Sequence, residues 1–360
     1  MAIPLSRPPV DDEVKQAVLA AIDSRQYILG PECRAFEAEF ARYLGVRHAV
    51  LTSSATAALW MILRALGVKS GDEILVPAHT AFPTVEAVCF AGATPVFVDV
   101  DASYTVDVAD AAAKVSPRTV GFLPVHLYGH PADLPAIQTL CAERSLWLLE
   151  DCAQAHGAAW QGRPVGRFGR AAAFSFYPSK NLTVMGDGGL LTTDDDDVAA
   201  RCRRLRDHGR LNKDVHAEVG FNLRFNDLQA AVGRVLLRRL DAMNDRRRGL
   251  AARYRAGLAG LPLGLPEERP GARHVYHLFV IRTERRDELA AFLKTRGIAT
   301  GIHYPVPCHR QPAVEALGAP PLPVTERIVR EILSLPMSAG HAEAEIDEVT
   351  AAIREFFGAR

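Results

Sequence analysis

AFSFYPSKNLTVMGDGG, residues 173–189, reads as the end of a short strand, then a lysine, then a glycine-rich turn. Ala172–Phe176 is apolar and aromatic, the composition of a buried strand. Lys180 follows it and precedes Gly186, Gly188 and Gly189, residues that let backbone approach a ligand closely. A lysine near glycines is ordinarily a surface residue. A lysine held beside a cationic ring and partly desolvated has a lowered pKa, which suits Schiff-base chemistry.

Upstream, LWLLEDCAQAHGA (146–158) places Asp151 after a mostly apolar run. An isolated aspartate there would more often cap the next helix. In an open parallel sheet, however, ligands gather at the carboxyl ends of strands. Further upstream, AVLTSSATAALWMILRAL (49–66) sets Ser53, Ser54 and Thr56 at the start of an apolar helix. Such residues cap helices, and the exposed amides and positive dipole end also hold anions. Together the three pieces supply a lysine amine, a carboxylate for a pyridine nitrogen and a phosphate-holding helix start. That is the set a pyridoxal-phosphate (PLP) site needs. Neither G-x-x-x-x-G-K-[ST] nor G-x-G-x-x-G occurs, which weighs against nucleotide hydrolases and dinucleotide dehydrogenases.

Outward from these motifs the pattern alternates. Helix-like Ala55–Leu66 precedes strand-like Glu73–Pro77, and helical Val85–Ala91 precedes Pro95–Asp99. Short apolar runs follow at Val120–Val125, Leu146–Glu150, Ala172–Phe176 and Leu190–Thr193. This alternation predicts a mainly parallel sheet covered by helices. Residues 227–260 read as one long helix, then LPLGLPEERPG breaks the pattern. A strand at His277–Arg282 and helices at Asp287–Arg296 and about Ala342–Phe357 complete a second region. The chain thus divides into a large domain, 1–245, and a smaller α/β domain, 246–360.

Composition narrows the function. Lys plus Arg and Asp plus Glu are 42 each, so no bulk field favours nucleic acid or an anionic membrane. No apolar run is long enough to span a bilayer, and the first residues lack a signal peptide's apolar core. The six cysteines are scattered without a C-x-x-C pair, which argues against a disulfide framework or a cysteine-rich zinc site. A cytoplasmic protein is expected, and no metal. His126 and His130 flank a turn rather than a metal-binding helix. The Asp194–Asp197 run reads as a solvated turn. The basic run 201–210, RCRRLRDHGR, is a solvated helix face or a patch for a sugar nucleotide's diphosphate.

In order and spacing, YILGPECRAFEAEFARYLG, GDEILVP, AGATPVFVDVD, PVHLYGHPADL, LLEDCAQAHGA, FSFYPSKNLTVMGDGG, LRDHGR, FNLRFNDLQAAVGRVLL, GIHYPVP and LSLPM make the chain resemble the DegT/DnrJ/EryC1/StrS family of sugar aminotransferases. The likeness covers nearly the whole chain. It implies a fold-type I PLP-dependent transferase, aspartate aminotransferase-like, working as a homodimer. Lys180 matches the Schiff-base lysine and Asp151 the pyridine-nitrogen partner. Gln154 matches a side chain that packs on the ring or reaches its hydroxyl. Ala55 and Thr56 match the phosphate-binding helix start, and Ser175 the serine before the lysine. Asn222 resembles an asparagine that reaches the phosphate from the other subunit, and His156 would line the sugar side, a catalytic candidate as the next base after Lys180. His303 and Tyr304 form a turn that the resemblance puts near substrate. Ala81 stands where many relatives carry an aromatic that stacks on the cofactor; Phe82 and His79 are its neighbours, and the ring's second face stays unassigned.

The expected reaction moves an amino group from glutamate or glutamine, through the pyridoxamine (PMP) form, to a keto group of a nucleotide-activated sugar. A cyclitol substrate, a dehydratase of the same family and a catalytically silent sensor of a PLP adduct are the alternatives. Lysine at 180, where dehydratase relatives carry histidine, favours transamination.

Overall fold

The computed structural model describes residues 2–358. Its main sheet has seven strands: β1 His48–Thr52, β2 Glu73–Pro77, β3 Thr94–Val98, β4 Thr119–Phe122, β5 Trp147–Asp151, β6 Ala171–Ser175 and β7 Gly189–Thr193. Their spatial order is β1-β7-β6-β5-β4-β2-β3. From β6 to β3 all neighbours are parallel, whereas β7 is antiparallel to both β6 and β1. The physical reason lies in residues 176–188. That connection contains no helix to carry the chain back across the sheet, so the chain turns and returns antiparallel.

The reversal matters for the site, because the start of β7 now lies at the same edge as the ends of β1, β5 and β6. Gly189 meets helix α2 (Ala55–Ala65) there; α1 is Pro31–Leu44. A Cβ on Gly189 would sit 2.2 Å from the Ser54 carbonyl carbon. Glycine is required by this close approach rather than by its dihedral freedom. The next helix, α3, runs Phe82–Phe90 and leaves the end of β2.

Helix α4, Asp227–Gly257, follows the sequence expectation closely. Its N-cap Asn226 accepts from the Gln229 amide, and buried Asp227 accepts from the amides of Gly30 and Glu32, so one carboxylate caps the start of α1. Val232, Val235, Leu236 and Leu240 pack into the core beneath the main sheet. Leu250, Ala251 and Tyr254 pack into a second core. The expected division at residue 245 therefore falls within one continuous helix. The second core is built on the antiparallel pair β8 (Phe279–Arg282) and β9 (Ile332–Leu335), with helices α5 (Arg286–Thr295) and α6 (Glu343–Phe356). Ile3 also lies in this second core, its amide donating to Gly297 O, and the Met337 amide donates to Leu5 O. Among the described residues no helix is long and apolar enough to cross a membrane.

Candidate active site

Asp151 is the last residue of β5 and is only 4 % exposed. Its Oδ1 accepts from the Ala153 amide at 3.0 Å and its Oδ2 from the Thr84 hydroxyl at 2.8 Å. Burial raises the carboxyl's pKa above the ordinary aspartate range; those two donors and the charge of Lys180 oppose the rise. Lys180 closes a single turn after β6, its amide donating to Tyr177 O, and is half-buried. Desolvation lowers its amine to about 8, against a raising influence from Asp151. No hydrogen bond or ion pair among the described residues engages its Nζ.

Gln154 sits in the tight turn after Asp151, and both ends of its amide are occupied. Oε1 accepts from the Tyr128 amide at 2.7 Å, and Nε2 donates to the Tyr304 hydroxyl at 2.9 Å. One Nε2 hydrogen remains, so toward a ligand Gln154 is a donor. Tyr304 packs against a separate cluster that includes Tyr104, Tyr128 and Val280, and its segment runs on to the main sheet: the Cys308 amide donates to Ala78 O just past β2. Tyr128 donates its hydroxyl to His303 O on the same segment. The turn containing His303 and Tyr304 thus closes over Gln154.

Ser175 ends β6, and strand alternation points it away from its neighbours Phe174 and Phe176. His156 packs against those two phenylalanines, at 5.4 and 5.8 Å between ring centroids. Its ring is 1 % exposed, neither nitrogen has a hydrogen-bond partner, and burial together with Lys180 lowers it to about 3. It is a neutral imidazole backed into the aromatic core.

At the start of α2, Ser54 is the N-cap and accepts from the Ala57 amide at 3.1 Å. Ala55 and Thr56 form the first turn. Here Ser53 donates its amide to Leu223 O, which brings the 219–223 segment alongside. Between them opens a cleft of about 580 Å³ lined by Ser53, Ser54, Thr56, Trp60, Phe221 and Leu223. Asn222 is exposed beside this rim, its Oδ1 accepting from Arg224. An amine without a partner, a buried carboxylate with spare acceptor sites and a helix start with free hydroxyls form a donor set that fits pyridoxal phosphate.

The other sequence candidates find ordinary partners. His126 Nδ1 accepts from the Ala132 amide, so its Nε2 donates to Glu150 at 3.1 Å. Glu150 also accepts from the amides of Gly166, Phe168 and Gly169. In the one cluster with metal-ligand spacing among the described residues, His126, Glu150 and Cys152, the imidazole and the carboxylate are therefore already engaged in hydrogen bonds. Asp195 caps its own helix, while Asp196 pairs with Arg47 and His48. In the basic run, Arg201 and Arg204 pair with Glu218, and Arg206 with Glu37, which leaves little of it for a diphosphate. Thr84 was not singled out by the sequence. Its only signal is its spacing four residues after Thr80, ahead of an apolar helix.

Comparison with known proteins identifies the family and agrees with the fold. A model of the DegT/DnrJ/EryC1/StrS aminotransferase family matches residues 8–354. The chain is 47% identical over 349 residues to a dTDP-3-amino-3,4,6-trideoxy-alpha-D-glucose transaminase of Streptomyces venezuelae, covering 96% of this chain and 92% of that protein. The crystal structure of S. venezuelae DesV in complex with a ketimine intermediate superposes with a TM-score of 0.93 at 47% identity, over 97% of this chain and 95% of the other. A putative sugar aminotransferase of Streptococcus pneumoniae in its PMP form gives a TM-score of 0.95 at 25% identity, covering 99% of this chain and 98% of that one.

Proposed function

The chain belongs to the DegT/DnrJ/EryC1/StrS aminotransferase family, and from that premise we propose that it transfers an amino group from glutamate or glutamine to the keto carbon of a nucleotide-activated sugar, in amino-deoxysugar biosynthesis. The observation that carries this reading is the Lys180 amine, left without a protein partner and close enough to buried Asp151 that each charge shifts the other. Bound pyridoxal phosphate would supply an electron sink and a carrier for the amino group.

The protein's own part is to bind, orient and move protons. Near neutral pH a lysine at about 8 keeps a usable uncharged fraction, so Lys180 can hold the cofactor covalently. With the cofactor bound to substrate instead, the same amine would be free to act as the base that moves a proton, a task suited to a group with a pKa near the working pH. Asp151, buried at the end of β5, would hold a proton on the pyridine nitrogen. Gln154 offers its remaining N–H to the ring's hydroxyl. Ser54, Ala55 and Thr56 present amides and hydroxyls to a phosphate at the positive end of α2, and Ser175 lies on the strand between. His156, neutral and packed on two phenylalanines, shapes the wall behind the site instead of acting as a base.

The protein is read as a homodimer in the cytoplasm. Supporting this, Phe90 (70 % exposed) and Val219 (88 % exposed) leave apolar surface beside the α2 start. A second copy covering that surface would let its Asn222 complete the phosphate site. Borohydride reduction of the holoenzyme followed by peptide mapping tests the central assignment. The label should fall on the peptide bearing Lys180, and Lys180→Ala should lose transamination of ketosugars by at least about a thousandfold. Label on another lysine, or turnover retained in Lys180→Ala, would overturn it.

A further inference from the structure

We propose that Thr84, itself oriented by Thr80, is a positioning residue that fixes the Asp151 carboxylate and keeps its charge available to a ring nitrogen. The proposal rests on the reading above that Asp151 faces that nitrogen.

A threonine inside a helix ordinarily turns its hydroxyl back to the carbonyl three or four residues earlier. Thr84, in the first turn of α3, has Thr80 at that distance, but its hydroxyl lies elsewhere. Thr84 Oγ1 is 2.8 Å from Asp151 Oδ2 and 3.0 Å from Thr80 Oγ1. The Thr80 carbonyl accepts instead from the Cys308 thiol at 3.3 Å. An ionised carboxylate only accepts, so Thr84 donates to Asp151. With that proton committed, Thr84 Oγ1 accepts from Thr80. The polarity of the chain is thereby fixed, Thr80 to Thr84 to Asp151. All three side chains are buried: Thr80, Thr84 and Asp151 are 2 %, 1 % and 4 % exposed.

Geometry and charge point the same way. The Ala153 amide takes one site on Oδ1 and Thr84 one on Oδ2, which holds the carboxylate plane and directs the remaining lone pairs. Burial pushes Asp151 toward its neutral form, and the two donors work against this, together with the charge of Lys180. Take away Thr84, and one of those donors is gone. Asp151 becomes more basic, and a proton shared with a ring nitrogen moves from the nitrogen onto the carboxylate. The ring then loses the positive charge that Asp151 is there to maintain.

The test reconstitutes the protein with ¹⁵N-labelled pyridoxal phosphate and reads the ring-nitrogen chemical shift by NMR at one near-neutral pH. Asp151→Asn should carry the shift to that of an unprotonated pyridine. Thr84→Val should carry it part of the way in the same direction and weaken cofactor binding roughly tenfold, the scale of one hydrogen bond to a charged group. Thr84→Ser, which keeps the hydroxyl, should restore the wild-type shift, and Thr80→Val should weaken binding by only about twofold. If Asp151→Asn moves the shift but Thr84→Val and Thr84→Ala both stay at the wild-type value, Thr84 has no such role. A serine variant that behaves like the valine variant also overturns the proposal, because it assigns the effect to the methyl group. If Asp151→Asn itself leaves the shift unmoved, the reading of Asp151 fails, whatever Thr84 does. Should Thr84→Val not fold, Thr84→Ala takes its place and the same outcomes decide.

Discussion

Glu150 and Asp151 are adjacent on β5, both buried, and they point to opposite faces of the same sheet. On the Glu150 side, four donors converge: His126 Nε2 and the amides of Gly166, Phe168 and Gly169. Despite full burial its pKa is held below the ordinary glutamate value by those bonds. On the Asp151 side there are two donors, and burial prevails, so its pKa is raised. One carboxylate is saturated and fastens the 163–169 loop to the sheet. The other keeps acceptor capacity in reserve beside a lysine with no partner. Under-satisfaction at a buried carboxylate costs stability, and it separates a site from a brace.

The largest effect expected from this contrast is on stability, at Glu150. Glu150→Ala removes one acceptor and leaves three buried amides and an imidazole without it, so unfolding free energy should fall by about 3 kcal/mol or more. A denaturant melt of the apo-protein measures this, and a loss under about 1 kcal/mol would mean the brace is redundant. Asp151→Asn should do the reverse: stability within about 1 kcal/mol of wild type, and transamination of a ketosugar about a hundredfold slower. Comparable loss of stability in both variants would erase the distinction between the two carboxylates.

The same contrast should appear as opposite slopes with pH in the apo-protein. For Glu150 the folded pKa lies below the unfolded one, so the unfolded chain binds more protons in the window between them. Its contribution is present above the unfolded pKa and is lost as pH falls through the folded value. Asp151 has a folded pKa above the unfolded one, so its contribution is present in acid and is lost as pH rises through the folded value. Melts at several acidic pH values should therefore show Glu150→Gln flattening the acid loss of stability and Asp151→Asn steepening it. Equal changes in the two variants would place both carboxylates in the same electrostatic setting.

Much of this was readable in the chain. The run that ends at Asp151, the strand that leads to Lys180 and the capped start of α2 are local patterns, and the mainly parallel sheet follows from the alternation of strands and helices. What was not readable comes from long-range closure. Thr84 looks like any β-branched residue at a helix start until β2, β4 and β5 are assembled into one sheet. Tyr304 lies 150 positions from Gln154, and nothing local links them. His156 shows the opposite failure. Two residues from Gln154 it reads as a site residue, but successive turns through Cys152–Ala155 and Ala155–Ala158 swing its ring into the phenylalanine core.

The smallest expected effect comes from the contact that holds the 303–308 segment against Gln154. Tyr304 accepts from Gln154 Nε2, while Gln154 Oε1 stays held by the Tyr128 amide. Tyr304→Phe therefore frees one amide hydrogen but leaves the Gln154 side chain anchored at its other end. The loss should be that of a single neutral hydrogen bond, about 1 kcal/mol, seen as a roughly fivefold rise in the cofactor's dissociation constant. Gln154→Ala removes both anchors and the spare N–H and should cost more. If Tyr304 acts only through Gln154, adding Tyr304→Phe to Gln154→Ala should change nothing further, because the partner it served is already gone. Fluorescence titration of the apo-proteins with pyridoxal phosphate completes this double-mutant cycle. Additive losses would show that Tyr304 reaches the cofactor independently, and would make it a candidate to cover the ring face that Ala81 leaves bare.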